Sequence, residues 1–481
     1  MFSKLKALII VMAVFTITVG VNVKGDTNIA NIANTGYFDV DSVAYTFNDE
    51  NELTKGFPGL TLSPDALFGV GTFDAPISGD PYGQSKPSVY DGREKGTVSS
   101  VTNQLSTGLC WDFSSLSAIE SNLLINGKPL QILSQTNAAF ALSNTVNPNG
   151  FQRKVTDGGN FMMAMAYVTR WEGPVLYSSD PFNESVVNKP RTAQENQKPA
   201  ALHVQGFCSI KPDFDAVKTA VMQYGSVVST IYVGGNEKID NFQSGSHFCP
   251  DTQIANHQIQ IVGWDNDYPA SNFNTNPGMN GAWIVKNSWG TDYGDGGYLY
   301  VSYKDAQIIK SAAYTITDIG QVNNYDNVYL YDPFGQIGTL NYNNNVAWFA
   351  NTFHAKSNKE NLRAVSFFCP DNSESYVIYS GSSLSSLRQV ASGTVINSGY
   401  YTIPLNTVFS LSGSDFTVAI KLTVDSGIAS IPIETNIPNY VVTAESAPGQ
   451  SFVSGNGNDW LDITKQFPNS NVCVRSFTSN N

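Results

Sequence analysis

Over residues 110–124 the apolar side chains Phe113, Leu116, Ile119 and Leu123 recur three or four apart and stop at Asn126-Gly127, which predicts an amphipathic helix opened by Cys110. The same period predicts a helix over 160–170 (Met162, Met165, Ala166, Thr169) and another from the capping Asp213 through Phe214, Val217 and Val221 to Gly225. Past Gly225 the repeat shortens. Residues 227–232 are β-branched and apolar, and 258–262, 282–286 and 298–303 alternate, which predicts strands of an antiparallel sheet. An Asn/Pro/Gly-rich stretch over 267–281 predicts a surface loop between two of them. After about residue 305 helical patterning nearly vanishes. Short apolar runs (327–331, 346–354, 364–368, 376–379, 400–403, 416–422) then recur between turn signals and predict a separate β-sandwich. The expected class is α+β: a mixed domain over 88–305, a linker over 306–325 and an all-β domain over 326–481.

Composition narrows the function classes. A chain of 481 residues is long enough for two or three domains, and 41% apolar content with 40 glycines is ordinary for a globular protein. Lys and Arg number 27 against 40 Asp and Glu, a net charge of -13, so no basic surface exists to neutralise phosphates and nucleic acid is excluded as a partner. Lys4 and Lys6 precede an apolar run from Ala7 to about Val21, followed by Gly25, which marks 1–25 as an export leader; it implies a secreted or cell-surface protein. No later segment is apolar enough to span a bilayer. Residues 26–87 lack sustained periodicity and read as an N-terminal extension or short prosegment.

Five cysteines leave at least one thiol unpaired. Pairing Cys208 with Cys249 and Cys369 with Cys473 leaves Cys110 free, at a helix N-terminus whose unpaired N–H groups favour a thiolate. A thiol nucleophile needs a base. His203 and His354 lack evident partners and His247 sits in a loop, whereas His257 begins a predicted strand that would fix its ring. Asn287 ends another strand and is followed by Trp289, so it supplies a group to orient the imidazole and a ring to shield the bond. Gln104, six residues before Cys110, is placed to join the Cys110 N–H as a second donor for an oxyanion. No metal-ligating pattern stands out, and this chemistry requires no cofactor.

These residues and their flanks resemble the papain family of cysteine peptidases. Gln104 with Gly108-Leu109-Cys110-Trp111-Asp112-Phe113-Ser114 is similar to its nucleophile region, Asn256-His257 with Val262-Gly263-Trp264 to its histidine strand, and Lys286-Asn287-Ser288-Trp289-Gly290 to its asparagine motif. The Cys-to-His gap, 257 − 110 = 147, falls within the roughly 130–150 of that family. The resemblance implies a two-lobed fold with the catalytic pair across a cleft, and polypeptide substrates bound partly by Gly158 and Gly159. Residues 171–175 and 180–182 resemble a prokaryotic branch in which a lectin-like β domain follows. Residues 326–478 resemble that domain, so a glycan or cell-surface ligand is a possible partner, with Trp348 and Trp460 as stacking candidates set against an ordinary core role.

Several positions depart from the family pattern. Leu105 and Thr107 stand where a glycine and a disulfide-forming cysteine are usual, while Asp112 and Gln258 put charge and bulk beside the nucleophile and the base. Residues 26–87 lack the long charged helix of the better-known inhibitory propeptide. The expected activity is a secreted endopeptidase working through a thioester. The alternatives are an inactive, peptidase-like adhesion or carbohydrate-binding protein, motivated by Asp112 and Gln258, and an amidase of non-peptide substrates.

Overall fold

The computed structural model of the chain describes residues 86–480 except 235–236, 242–243, 311–312 and 412–413, together with the short strand pair 45–46 and 61–62. The expected leader over 1–25, and all of 26–85 apart from those two strands, lie outside the described residues.

Three of the helices lie where the sequence predicts them, two of them behind a side-chain cap. Helix α1 spans Cys110–Ile125. Helix α3 (Phe161–Thr169) is capped by Asn160, whose side chain accepts from the Met163 N–H. Helix α4 (Phe214–Tyr224) is capped by Asp213 and ends at Gly225 in a left-handed turn at φ 95°. A further helix, α2 (Gln135–Ala141), capped by Ser134, is too short to show a period in sequence. Helix α1 is not the one-sided helix its stripe predicts. It is buried from Trp111 to Leu123, because α2 and α3 cover the flank turned away from the sheet. Its non-stripe positions are therefore filled by small or hydrogen-bonded groups such as Ser114, Ser115, Ser117 and Asn122.

The sheet against α1 contains β1 (His203–Ser209), β2 (Val227–Ile231), β3 (His257–Asp265), β4 (Ala282–Lys286), β5 (Tyr298–Ser302) and β6 (Ala313–Gly320). Their spatial order is β1-β6-β2-β3-β4-β5, all antiparallel. The loop predicted over 267–281 is present, and its Tyr268 and Phe273 fold back into a small cluster with Phe248 and Ala282.

The second domain is a sandwich. One face contains β7 (Asn327–Tyr329), β9 (Glu360–Cys369), β11 (Gly399–Ser410) and β13 (Val474–Asn480); the other is built on β8 (Val346–His354), β10 (Glu374–Gly381) and β12 (Asp415–Val424). Phe349, Ile378 and Ile420 of the second face meet Val365, Phe367 and Val474 of the first in one apolar core.

Two expectations about domain organisation are corrected. Residues 306–325 are not a linker: β6 lies inside that span and pairs with both β1 and β2. The sandwich is not a separate body either, because β11 pairs with β1 (Gly399↔Cys208, Tyr400↔Phe207, Tyr401↔Gly206), which makes one sheet run through both domains. A buried ion pair reinforces the junction: Arg475 Nη2 lies 2.9 Å from Asp332 Oδ2, and Arg475 Nη1 donates to Thr169 Oγ1 of α3 at 2.8 Å.

The expected disulfides are corrected as well, since all five cysteines are free. Successive residues of a strand face opposite sides of a sheet. Cys369 packs in the sandwich core while Cys473 faces the helical core on the other side, and Cys208 sits in the core of the β-rich lobe near Asn397. The Cys249 sulfur instead approaches the Asp251 carbonyl at 3.3 Å.

Candidate active site

Cys110 is the first residue of α1, half-buried, and its sulfur faces β3: the backbone N–H of Gln258, the residue after His257, points at Cys110 Sγ from 3.5 Å. The helix N-terminus predicts a lowered thiol pKa, but burial outweighs the nearby backbone N–H groups and pushes the thiol up. Burial also pulls His257 down to about 4, against the hydrogen bond to Asn287 that raises it. Both shifts favour a neutral thiol beside a neutral imidazole.

The orientation of that imidazole follows from Asn287. Its Oδ1 accepts the Ser288 N–H at 2.8 Å and lies 2.8 Å from His257 Nε2. An oxygen already accepting one N–H requires a donor at the second contact, so Nε2 carries the proton and Nδ1 is left with the lone pair. Trp289 stacks on the His257 ring, with centroids 4.5 Å apart, and is itself braced edge-on by Tyr293. The sheet fixes this group, because His257 opens β3 and Asn287 directly follows β4, its hydrogen-bonded neighbour.

Gln104 is buried and held from both ends. Its N–H donates to the Ser288 carbonyl at 2.8 Å, its Oε1 accepts from Ser288 Oγ at 2.6 Å, and its Nε2 donates to the Thr107 carbonyl at 2.7 Å. One N–H of the amide is thereby occupied and the other remains for a ligand.

Gly158 and Gly159 flank the nucleophile helix on the other side. Neither has a positive φ, so a left-handed turn is not the reason for glycine here. At Gly159 close approach is, since a Cβ there would sit 2.7 Å from the Trp111 ring; the Gly158 backbone in turn requires glycine at 108, where a Cβ would sit 2.8 Å from the Gly158 nitrogen.

The two departures that raised doubt in the sequence take other roles. Asp112 is fully buried beside Arg153 and Tyr167; burial pushes its carboxyl well above the usual carboxylate range, against the attraction of the Arg153 guanidinium. Gln258 joins the lobes: its Nε2 donates to the Trp111 carbonyl at 3.0 Å, Ser114 Oγ at 2.9 Å and Ser115 Oγ at 3.1 Å. Deeper in the same seam, Lys286 Nζ donates to Ser99 Oγ at 2.9 Å and Ser117 Oγ at 2.7 Å, and burial pulls it down to about 8 against the attraction of Glu120.

The remaining histidines lie elsewhere. His203 stacks on Trp171 at the domain junction and His354 is exposed beside Asp415. His247 is buried between Asp240 (Nδ1–Oδ1 2.7 Å) and Asp305 (Nε2–Oδ2 3.4 Å), which outweigh its desolvation and raise it to about 9. Ser288 and Arg153 are site-building residues that the sequence reading misses, and Gln258 is marked there only as bulk beside the base. Ser288 stands in the asparagine motif, whereas nothing in the spacing marks Arg153.

Comparison with known proteins finds matches to both domains. Residues 86–317 match the papain family cysteine protease model and residues 328–478 match the lectin like domain model. Cathepsin L2 of Homo sapiens is 29% identical over 222 residues, covering 45% of this chain and 60% of the relative; cathepsin S of Mus musculus is 29% identical over 234 residues, covering 47% and 62%. The chain thus spans less than two thirds of the length of these relatives. Among solved structures, the clostridial cysteine protease Cwp84 after propeptide cleavage is 25% identical with a TM-score of 0.76, covering 82% of this chain and 100% of that one. The cysteine protease and lectin-like domains of Cwp84, described as a surface layer associated protein of Clostridium difficile, superpose with the same TM-score at 24% identity, over 83% of this chain and 90% of that one.

Proposed function

We propose, for a chain that belongs through residues 86–317 to the papain family of cysteine proteases and carries a lectin-like domain after it, a secreted endopeptidase that cleaves polypeptides through a thioester on Cys110. His257 Nδ1 takes the thiol proton as the sulfur attacks the scissile carbonyl, and the free N–H of Gln104 with the Cys110 N–H receives the developing oxyanion. The imidazolium then protonates the leaving amine. Water, deprotonated by the same nitrogen, cleaves the thioester and releases the acid. Asn287 keeps the tautomer that this shuttle needs. The observation that carries the proposal is the hydrogen bond of His257 Nε2 to Asn287 Oδ1 beside a strand whose next N–H faces Cys110 Sγ.

An inactive adhesion protein is the weaker reading, because Asp112 and Gln258, which motivated it, both turn into the core. Secretion is supported by the N-terminal leader pattern and by the surface-layer association stated for Cwp84. For the lectin-like domain we infer a glycan or cell-surface ligand, supported by the half-buried Trp348 and Trp460, whose rings meet edge-on at 6.3 Å on the sandwich.

The test is hydrolysis of a peptide library by the purified mature chain and by Cys110→Ala. The expected loss in kcat is about 10⁴-fold or more; equal rates for the two proteins would refute the mechanism.

A further inference from the structure

The glycine wall of the candidate site is a loop, not a strand, and one buried side chain gathers it. Arg153 donates from Nε to the Gly158 carbonyl at 3.1 Å, from Nη1 to the Ala139 carbonyl at 3.2 Å, and from Nη2 to the carbonyls of Val155 (3.0 Å) and Asp157. Its guanidinium lies 4.8 Å from the centroid of the Trp111 ring, and the Trp111 indole N–H in turn points to the Asp157 carbonyl. Asp112, one residue after Trp111, lies close enough to interact with it electrostatically. A planar fork of five donors can satisfy carbonyls in several directions at once, which an ammonium cannot. Such an arrangement fixes the position of Gly158 relative to the residues around the nucleophile.

We propose that Arg153 is a positioning residue for substrate binding, holding the Gly158–Gly159 backbone at the spacing from Cys110 that an extended peptide requires. Thr107, where a disulfide-forming cysteine is usual in this family, leaves the stretch from Gln104 to Gly108 without that covalent staple; a backbone bond from the Gly108 N–H to the Thr156 carbonyl (2.9 Å) ties that stretch to the glycine loop, and Arg153 gathers the carbonyls on either side of Thr156. The inference rests on the peptidase reading above and adds to it a residue that never touches the reacting atoms.

The experiment compares two alkylating reagents at Cys110. Iodoacetamide needs only the thiol, whereas a peptidyl epoxide must also dock along the glycine wall. In Arg153→Lys, which keeps the charge near Asp112 but loses the fork, the rate ratio of epoxide to iodoacetamide falls about tenfold, and for peptide hydrolysis KM rises about tenfold with kcat within about threefold. A ratio within about twofold of wild type in a folded variant overturns the proposal, as does an equal loss with both reagents, which would mean that the thiol itself is disturbed. Should Arg153→Lys fail to fold, the pair Arg153→Gln with Asp112→Asn removes both groups together and carries the same comparison. A wild-type Cys110 inert to both reagents removes the peptidase reading instead, a result distinct from failure of the ratio.

Discussion

The two sides of the candidate site are built on different principles. The histidine wall is a ladder: β2, β3 and β4 lie side by side, and His257 and Asn287 sit at matching ends of two of them. The glycine wall is irregular chain between α2 and α3, fixed by carbonyls converging on one guanidinium. A ladder spreads its positional constraint over many backbone bonds, so a single side chain there matters chiefly for its own chemistry. A loop concentrates the constraint, so a residue with no chemical role controls geometry.

The largest effect that sharpens this contrast lies on the ladder. His257→Ala removes the proton shuttle while leaving β3 paired; kcat should fall about 10³-fold, with circular dichroism and melting temperature nearly unchanged. Next comes Gln258→Ala, which breaks three hydrogen bonds from β3 to α1. It should cost about 2 kcal/mol in denaturant unfolding, because buried partners are left unsatisfied, and lower kcat about tenfold as the base and nucleophile lose their register.

A third prediction concerns pH. His247 has a folded pKa raised to about 9 by Asp240 and Asp305, so its contribution is present below the unfolded value of about 6.5 and is lost as pH rises through 9. His257 runs the other way: with its folded pKa near 4, its contribution is present above about 6.5 and is lost as pH falls toward 4. From these two groups stability peaks near pH 6.5. His247→Gln should flatten chiefly the alkaline limb, by about 3 kcal/mol between pH 6.5 and 9 in unfolding titrations, and shrink the acid limb slightly, because the His247 charge helps to lower His257. An unchanged alkaline limb in that variant would show that the pairing with Asp240 and Asp305 is not its source.

The smallest effect tests whether the second domain supports the glycine wall. Tyr440, from the sandwich domain, contacts the Asn160 amide at 3.2 Å next to Gly159 and gives its carbonyl to the Gln152 N–H. Tyr440→Phe keeps the ring against Phe151 and loses only the hydroxyl, so it should cost about 1 kcal/mol of stability and raise KM less than about twofold.

The site was legible in sequence to the extent that each residue began or ended an element. Cys110 opens a helix, His257 opens a strand, Asn287 follows one, and Gln104 lies a short turn from the helix; flanking residues marked each boundary. What a sequence does not carry is side-chain direction. Gln258 reads as bulk beside the base, yet it points across to α1, and Asp112 reads as charge beside the nucleophile, yet it is buried toward Arg153. Nor does it carry pairing between distant segments. Strand β1 mixes His203, Gln205 and Gly206 into its run, and its partners β6 and β11 lie roughly one and two hundred residues away, so the continuous sheet has no local signature. The cysteine arithmetic fails for the same reason: counting thiols ignores which core each one packs into.

The most direct measurement is active-site titration of the purified chain with a peptidyl epoxide, read by intact mass and peptide mapping. The account predicts one equivalent bound, all of it on Cys110, with Cys208, Cys249, Cys369 and Cys473 unmodified and peptide hydrolysis lost in proportion to label. Full modification of Cys110 with hydrolysis intact, or loss of hydrolysis through label on another thiol, would contradict it.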